Sequence, residues 1–165
     1  MNRQNTVMLG VGGLGSSNVN GEIVKTLALG SCVAVVVLHP QTRTVGMVHI
    51  ALPDSTIDPA KGKEKPGYFA DTGIPVLLDQ MKKKGCNGNN KSFIVKLAGG
   101  ASVMDPNNTF NIGKRNVLAI KKILWSYGMG AVSEDVGGHI SRNVEAAVET
   151  GKVIITSAGR GTWEL

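Results

Sequence analysis

Residues 33–38 read Val-Ala-Val-Val-Val-Leu, and residues 44–52 read Thr-Val-Gly-Met-Val-His-Ile-Ala-Leu, with a short segment containing Pro40 between them. Both runs are rich in residues that favour extended backbone, which predicts two strands. Because so few residues separate the two runs, they are predicted to pair as a β-hairpin. The rest of the fold is built outward from this hairpin.

Other segments predict further strands on either side of the hairpin and two helices between them. Strands are expected at residues 7–14, 92–98, 131–136, 144–148 and 152–156. One helix is expected to begin near Asp71 or Thr72 and stop at Gly85, and a second to be capped by Asn111 or Asn116. Residues 54–67 predict an exposed loop. The fold class is therefore α/β (α+β mixed), a single domain over residues 1–165 with mixed β-sheets and flanking helices.

Composition excludes several classes of protein. Hydrophobic residues make up 42% of the chain and charged residues 18%, which disfavours disorder. A net charge of +6 is compatible with nucleic-acid binding, but aromatic residues make up only 4% of the chain, too few for a base-stacking surface. Neither a signal peptide nor a membrane span is recognisable, so a cytoplasmic protein without membrane insertion is expected. No metal-ligand spacing is present, and neither a metal nor a cofactor is expected.

The glycines at 10, 12 and 15 match the dinucleotide-binding fingerprint letter for letter. That fingerprint works only when a helix starts on its last glycine and directs N–H groups at the pyrophosphate. Here the following residues, Ser16 to Gly21, are typical of turns. The segment is therefore interpreted as a glycine-rich loop without a nucleotide.

Cys32 is the first candidate for chemistry. It follows Gly30 and Ser31 and stands where a turn enters an apolar strand, so backbone N–H groups around Ser31 and Val33 are candidates to hold an oxyanion. A small buried core residue explains a lone cysteine before such a strand equally well. Cys86 follows a helix end, has no histidine near it in the sequence, and is predicted to be non-catalytic.

His49 lies in the second strand of the hairpin and gives Cys32 a partner. A turn centred between Pro40 and Gln41 places Cys32 directly opposite His49, whereas a slip of one residue moves His49 to the other face. A histidine at this position is either a satisfied core residue or a base. Paired with Cys32, it is predicted to take the thiol proton and return it to a leaving group. Thr26, which carries a hydroxyl just upstream, is available to orient the imidazole.

Further motifs then complete a family pattern. They are residues 26–33 (TLALGSCV), 46–53 (GMVHIALP), 68–71 (YFAD), 96–101 (KLAGGA), 111–116 (NIGKRN) and 135–138 (DVGG) with Arg142. In this order and over nearly the whole chain, the sequence resembles the CheD family of chemoreceptor protein-glutamine deamidases. Two departures concern surface recognition: glycines and Leu14 replace an acidic residue often seen in 10–15, and Ser141 replaces a glycine.

The resemblance implies a cysteine hydrolase, a protein-glutamine glutaminase that acts on methyl-accepting chemotaxis receptors. It implies a catalytic triad of Cys32, His49 and Thr26 and a fold related to toxin-type Cys–His deamidases. It also implies a CheC-type phosphatase as a further partner. The main alternative is a non-catalytic binding module that docks such a phosphatase or a receptor, and a redox or metal-binding protein is a further alternative.

Overall fold

The computed structural model describes residues 5–105, 107 and 109–165. Its ten strands are β1 (Thr6–Leu9), β2 (Leu14–Ser17), β3 (Ile23–Leu29), β4 (Val33–His39), β5 (Thr44–Ile50), β6 (Ile94–Gly99), β7 (Ala131–Val136), β8 (Arg142–Ala147), β9 (Val153–Ser157) and β10 (Gly161–Glu164). Its three α-helices are α1 (Pro59–Glu64), α2 (Ala70–Lys83) and α3 (Ile112–Ser126). Among the described residues, no helix combines the length and apolar character that crossing a bilayer requires.

The strands form two mixed sheets, which confirms the predicted fold class. The first sheet has the order β1-β3-β8-β9-β10 and the second β2-β5-β4-β6-β7. The pairs β1/β3 and β6/β7 are parallel, and the other pairs are antiparallel.

The hairpin of β4 and β5 lies at the centre of three layers. Every residue of both strands is buried, because one face of the second sheet is covered by α2 and α3 and the other by the first sheet. Val33, Val35 and Val37 face the helices. Ala34, Val36 and Leu38 face the first sheet. Burial on both faces explains why this run is continuously apolar instead of alternating.

The hairpin itself is confirmed, but the predicted register, with Cys32 opposite His49, is wrong. Ala34 lies opposite His49, and His39 pairs with Thr44 as the last pair before the turn. The turn therefore comprises residues 40–43 and is centred between Gln41 and Thr42, one position later than predicted, with Arg43 in the left-handed region at φ 52°. A shift of two residues keeps every side chain on its predicted face, whereas a shift of one reverses it.

Several predicted boundaries are also corrected. The strand expected at 7–14 is two strands, β1 and β2, separated by the glycine-rich loop. Sequence reasoning missed β3 and β10. The loop expected at 54–67 contains α1, which begins at Pro59 because the Asp58 side chain accepts a hydrogen bond from the Lys61 N–H.

The helix starts differ from the predictions as well. Helix α2 begins at Ala70, one residue before Asp71, whose carboxylate instead accepts hydrogen bonds from the backbone and hydroxyl of Ser55. Asn111 directly precedes α3, but its side chain makes no capping bond. Asn116 lies inside α3 and is fully buried.

Candidate active site

Cys32 lies where the chain crosses from the first sheet to the second. Strand β3 ends at Leu29 in the first sheet and β4 begins at Val33 in the second, so the link 30–32 spans the layer between the sheets. The Cys32 side chain is half-buried and packs against the apolar cluster between the sheets. The thiol is therefore held at the margin of the inter-sheet layer and remains partly accessible.

Neighbouring backbone holds this link in place. The Gly100 N–H donates to the Cys32 carbonyl and the Ala101 N–H to the Gly30 carbonyl, both at 2.8 Å. Gly99 packs so closely that an added Cβ would stand 2.2 Å from the Cys32 oxygen. Gly99 also has a φ of 117°, which only glycine adopts readily. The close contact fixes the backbone of the nucleophile candidate.

The glycine-rich loop holds the backbone of His49. Gly12 donates its N–H to the His49 carbonyl at 2.8 Å, and the His49 N–H donates to the Gly13 carbonyl at 2.9 Å. After the loop the chain enters strand β2, so the fingerprint lacks the helix that a dinucleotide site needs. The loop is thus a structural support for the histidine.

The His49 imidazole, only 1% exposed, reaches across the inter-sheet layer to Thr26 on β3. Its Nδ1 lies 2.6 Å from the Thr26 hydroxyl oxygen, and that hydroxyl donates its one proton to the Leu9 carbonyl at 2.8 Å. Nδ1 must therefore carry the hydrogen that Thr26 accepts. Nε2 is left with a free lone pair, and among the described residues it has no hydrogen-bond partner.

His49 and Cys32 share one side of the second sheet. The thiol packs against the inter-sheet cluster, and the imidazole bonds to the first sheet. Cys32 stands two residues before Ala34, the residue opposite His49. The β4/β5 ladder begins at Val33, so Cys32 lies just outside it, and among the described residues no hydrogen bond joins the thiol to the imidazole.

Both groups are neutral at rest near neutral pH. Burial, aided by the positive charge of Lys65, lowers the pKa of His49 to about 4. Burial raises the pKa of the Cys32 thiol, an effect partly offset by its own backbone N–H. This arrangement suits a general base that takes the thiol proton as attack begins, instead of a thiolate–imidazolium pair formed in advance.

Comparison with known proteins places the chain in a family. Residues 51–157 match the family model described as CheD chemotactic sensory transduction. The chain is 52% identical over 159 residues to a probable chemoreceptor glutamine deamidase CheD of Syntrophotalea carbinolica, with 96% of this chain and 98% of that protein covered. The chain belongs to the CheD family. It is also 41% identical to the chemoreceptor glutamine deamidase CheD of Thermotoga maritima over 86% of each chain.

Two of the sequence motifs beyond the hairpin, residues 96–101 and 135–138 with Arg142, support the Cys32 link. Residues 96–101 supply Gly99 and Gly100, which contact the Cys32 carbonyl. Arg142 donates to the Asp135 carboxylate at 2.9 Å and to the Gly137 carbonyl at 3.0 Å. The Gly137 N–H in turn donates to the Gly99 carbonyl. This network supports the strand end on which the cysteine link rests.

Cys86 lies at the other end of the hairpin. It is fully buried, and its sulfur is 3.4 Å from the hydroxyl of Thr42 in the turn. The turn closes the hairpin at the end away from Cys32, so the two thiols are separated by the length of β4. In the part of the chain that the structure describes, no cluster of three or more histidine, cysteine or acidic residues is arranged to hold a metal.

Sequence reasoning missed the roles of Lys65 and Asn116. The sequence shows Lys65 only as one charge of an exposed segment, but its charge acts on His49. The sequence offers Asn116 only as a helix cap, but its buried amide donates hydrogen bonds to two backbone carbonyls near the site. One signal was present in the sequence: an amide on the face of α3 that otherwise carries Val117, Ile120 and Leu124.

Proposed function

We propose that the chain is a cytoplasmic protein-glutamine deamidase that converts glutamine side chains of methyl-accepting chemotaxis receptors to glutamate. The observation that carries the proposal is the Thr26–His49 hydrogen bond, which leaves a free Nε2 on the side of the sheet where Cys32 lies. The names of the relatives supply the substrate class. We further propose that residues 1–165 act as one catalytic domain. A CheC-type phosphatase remains a predicted additional partner.

In the first step the Cys32 sulfur attacks the side-chain amide carbon of glutamine while His49 Nε2 takes the thiol proton. The amide oxygen becomes an oxyanion, for which the backbone N–H groups around Ser31, Cys32 and Val33 are the proposed donors. Among the described residues, the Cys32 N–H donates to no other residue and interacts only with its own thiol, so we propose that it turns to the oxyanion during attack.

The tetrahedral intermediate then collapses in the forward direction. The His49 imidazolium gives its proton to the amide nitrogen, ammonia leaves, and an acyl thioester on Cys32 remains. His49 next takes a proton from water, whose oxygen attacks the thioester carbon. Collapse releases glutamate, and the proton on His49 returns to the sulfur. Overall, one water is consumed and one ammonia is released for each glutamine.

Mass spectrometry of a receptor tests this function. Incubation of a purified receptor signalling domain with the chain is expected to raise the mass of particular glutamine-containing peptides by about one dalton each, as amide hydrolysis requires. Ammonia should be released in equal amount. Binding of the receptor without any mass change would instead support the non-catalytic docking module.

Thr26→Val is expected to reduce kcat for deamidation roughly 10- to 100-fold, the effect typical of losing a group that orients a functional histidine. Valine has nearly the same shape but accepts no hydrogen bond from His49 Nδ1, so the ring loses its fixed orientation. Steady-state kinetics of ammonia release measure the change. Thr26→Ser keeps the hydroxyl and is the matched control, expected to recover most of the rate. Full activity in the valine variant would show that the hydroxyl does not orient the base.

Lys65→Gln is expected to move the acidic limb of the kcat/KM profile to higher pH. Protonated His49 accepts no proton from the thiol, so the rate falls as pH drops through its pKa, which lies near 4 in the intact protein. Because the Lys65 charge helps to lower that pKa, its removal raises it and activity is lost at a higher pH.

The Lys65 measurement is best made at low ionic strength, since salt screens an exposed charge. Lys63→Gln removes an exposed charge two positions away and should leave the limb in place. An acidic limb near pH 6.5 in the unaltered protein would contradict the prediction, as would a limb that does not move in Lys65→Gln.

A further inference from the structure

Asn116 joins the nucleophile link to the end of the strand that carries His49. It is fully buried on α3, and its Nδ2 donates to the Ser31 carbonyl at 2.9 Å and to the Ala51 carbonyl at 3.0 Å. Ser31 directly precedes Cys32, and Ala51 follows His49 by two positions. One amide group thus uses both of its hydrogens to bind the two segments that hold the proposed catalytic pair.

Packing alone is a poor explanation for this amide. Val117, Ile120 and Leu124 of the same helix lie in the apolar cluster beneath the second sheet. The Asn116 Oδ1 is buried there without a partner among the described residues. Because an unpaired buried oxygen costs folding free energy, an apolar side chain would suit the surroundings of Oδ1 better. The benefit of the asparagine must come from its two donated hydrogen bonds.

The bond to Ser31 determines where the Cys32 N–H points. The Ser31 carbonyl and the Cys32 N–H belong to one planar peptide unit, and no peptide bond among the described residues is cis. In a trans unit the two groups point in opposite directions. With the Ser31 oxygen directed at α3, the Cys32 N–H points away from the helix layer and toward the inter-sheet side, where the thiol and His49 lie.

We propose that Asn116 is a positioning residue that orients the Ser31–Cys32 peptide so that the Cys32 N–H serves as an oxyanion donor. The inference rests on the proposed function for its biological substrate. It concerns a step, stabilisation of a tetrahedral oxyanion, that any acyl transfer to Cys32 shares. The second hydrogen bond of Asn116, to the Ala51 carbonyl, holds this donor in a fixed position relative to the strand that carries His49.

Two small reagents separate this role from a merely structural one. Acylation of Cys32 by p-nitrophenyl acetate passes through a tetrahedral oxyanion, whereas alkylation by iodoacetamide is a direct displacement that forms none. Asn116→Leu keeps the branched shape and the number of heavy side-chain atoms and removes both donors. The ratio of the acylation rate to the alkylation rate, with the modified residue mapped by mass spectrometry, isolates the oxyanion donor.

We expect Asn116→Leu to lower this ratio about 100-fold, the scale of losing one oxyanion donor. Receptor deamidation should lose kcat with little change in KM. Asn116→Ala provides a second variant if the leucine side chain disturbs folding. Ile120→Ala, a fully buried position on the same helix, is the matched control: it should lower the thermal midpoint while the ratio stays within about threefold.

An unchanged ratio in a folded Asn116 variant overturns the proposal, as does an equal fall of both rates. An equal loss in Ile120→Ala would also overturn it, because the effect would then belong to helix packing. If the unaltered chain acylates normally but leaves receptor peptides unchanged in mass, the proposed substrate fails. In that case the ratio still decides the role of Asn116.

Discussion

Cys32→Ala is expected to abolish deamidation of a receptor and leave the fold intact. Without the sulfur no thioester forms, and for a covalent mechanism such a loss lowers kcat by roughly 10⁴-fold or more. The side chain is half-buried and makes no hydrogen bond with another residue of the described chain, so alanine removes little packing. Ammonia release and receptor mass measure the activity, and circular dichroism with thermal unfolding measures the fold.

Cys86→Ala is the matched control for Cys32→Ala. Cys86 is the more deeply buried thiol, with its sulfur against Thr42 at the turn, so this variant should lose some stability and keep its activity. Deamidation that survives in Cys32→Ala would rule out the thioester mechanism. Loss of activity only in Cys86→Ala would identify Cys86, at the other end of the hairpin, as the nucleophile.

His49→Gln is expected to lower kcat by about 10²- to 10⁴-fold, the contribution typical of a positioned general base and acid. Glutamine is of similar size but accepts no proton at neutral pH. Because the pKa of the Cys32 thiol is raised by burial, little thiolate forms without the base. Single-turnover measurements at neutral pH should show that thioester formation is the slowed step.

Two observations complete the test of His49. In His49→Gln, iodoacetamide should still alkylate Cys32 at alkaline pH, where the thiol ionises unaided, which shows that the nucleophile is intact. His139→Gln changes an exposed histidine whose Nδ1 lies 3.3 Å from the Ser102 carbonyl oxygen, and it should retain full activity. A His49→Gln variant with an unchanged kcat would exclude the histidine as the base.

The central hairpin was predictable from sequence because two runs that favour extended backbone are separated by only a short segment. The register was not predictable, since it depends on where the turn is centred, which the residue types of the 39–43 segment leave open. Strand β3 escaped notice because Ala28, at φ 57°, interrupts its pairing with β8 between Thr26 and Leu29. An irregular strand lacks the strict alternation that reveals a regular one.

The proposed site also combines residues that the sequence predicted with contacts that only the structure shows. Cys32 and His49 were found because they belong to two runs that are close in sequence. The family resemblance implied the role of Thr26, but only the structure shows its hydroxyl between His49 and the Leu9 carbonyl. Asn116 acts on carbonyls 85 and 65 positions away, and backbone carbonyls carry no sequence signature. Contacts of side chains with distant backbone therefore remained invisible until the fold was known.

The Thr26–His49 bond joins residues that belong to separate sheets. A fragment comprising β4 to β7 would contain the histidine, and with the preceding link also the thiol, yet its imidazole would have no fixed tautomer. The proposed chemistry therefore requires both sheets to be in contact. At the temperature or denaturant concentration at which the two sheets first separate, turnover should stop, even while the helices and the hairpin persist.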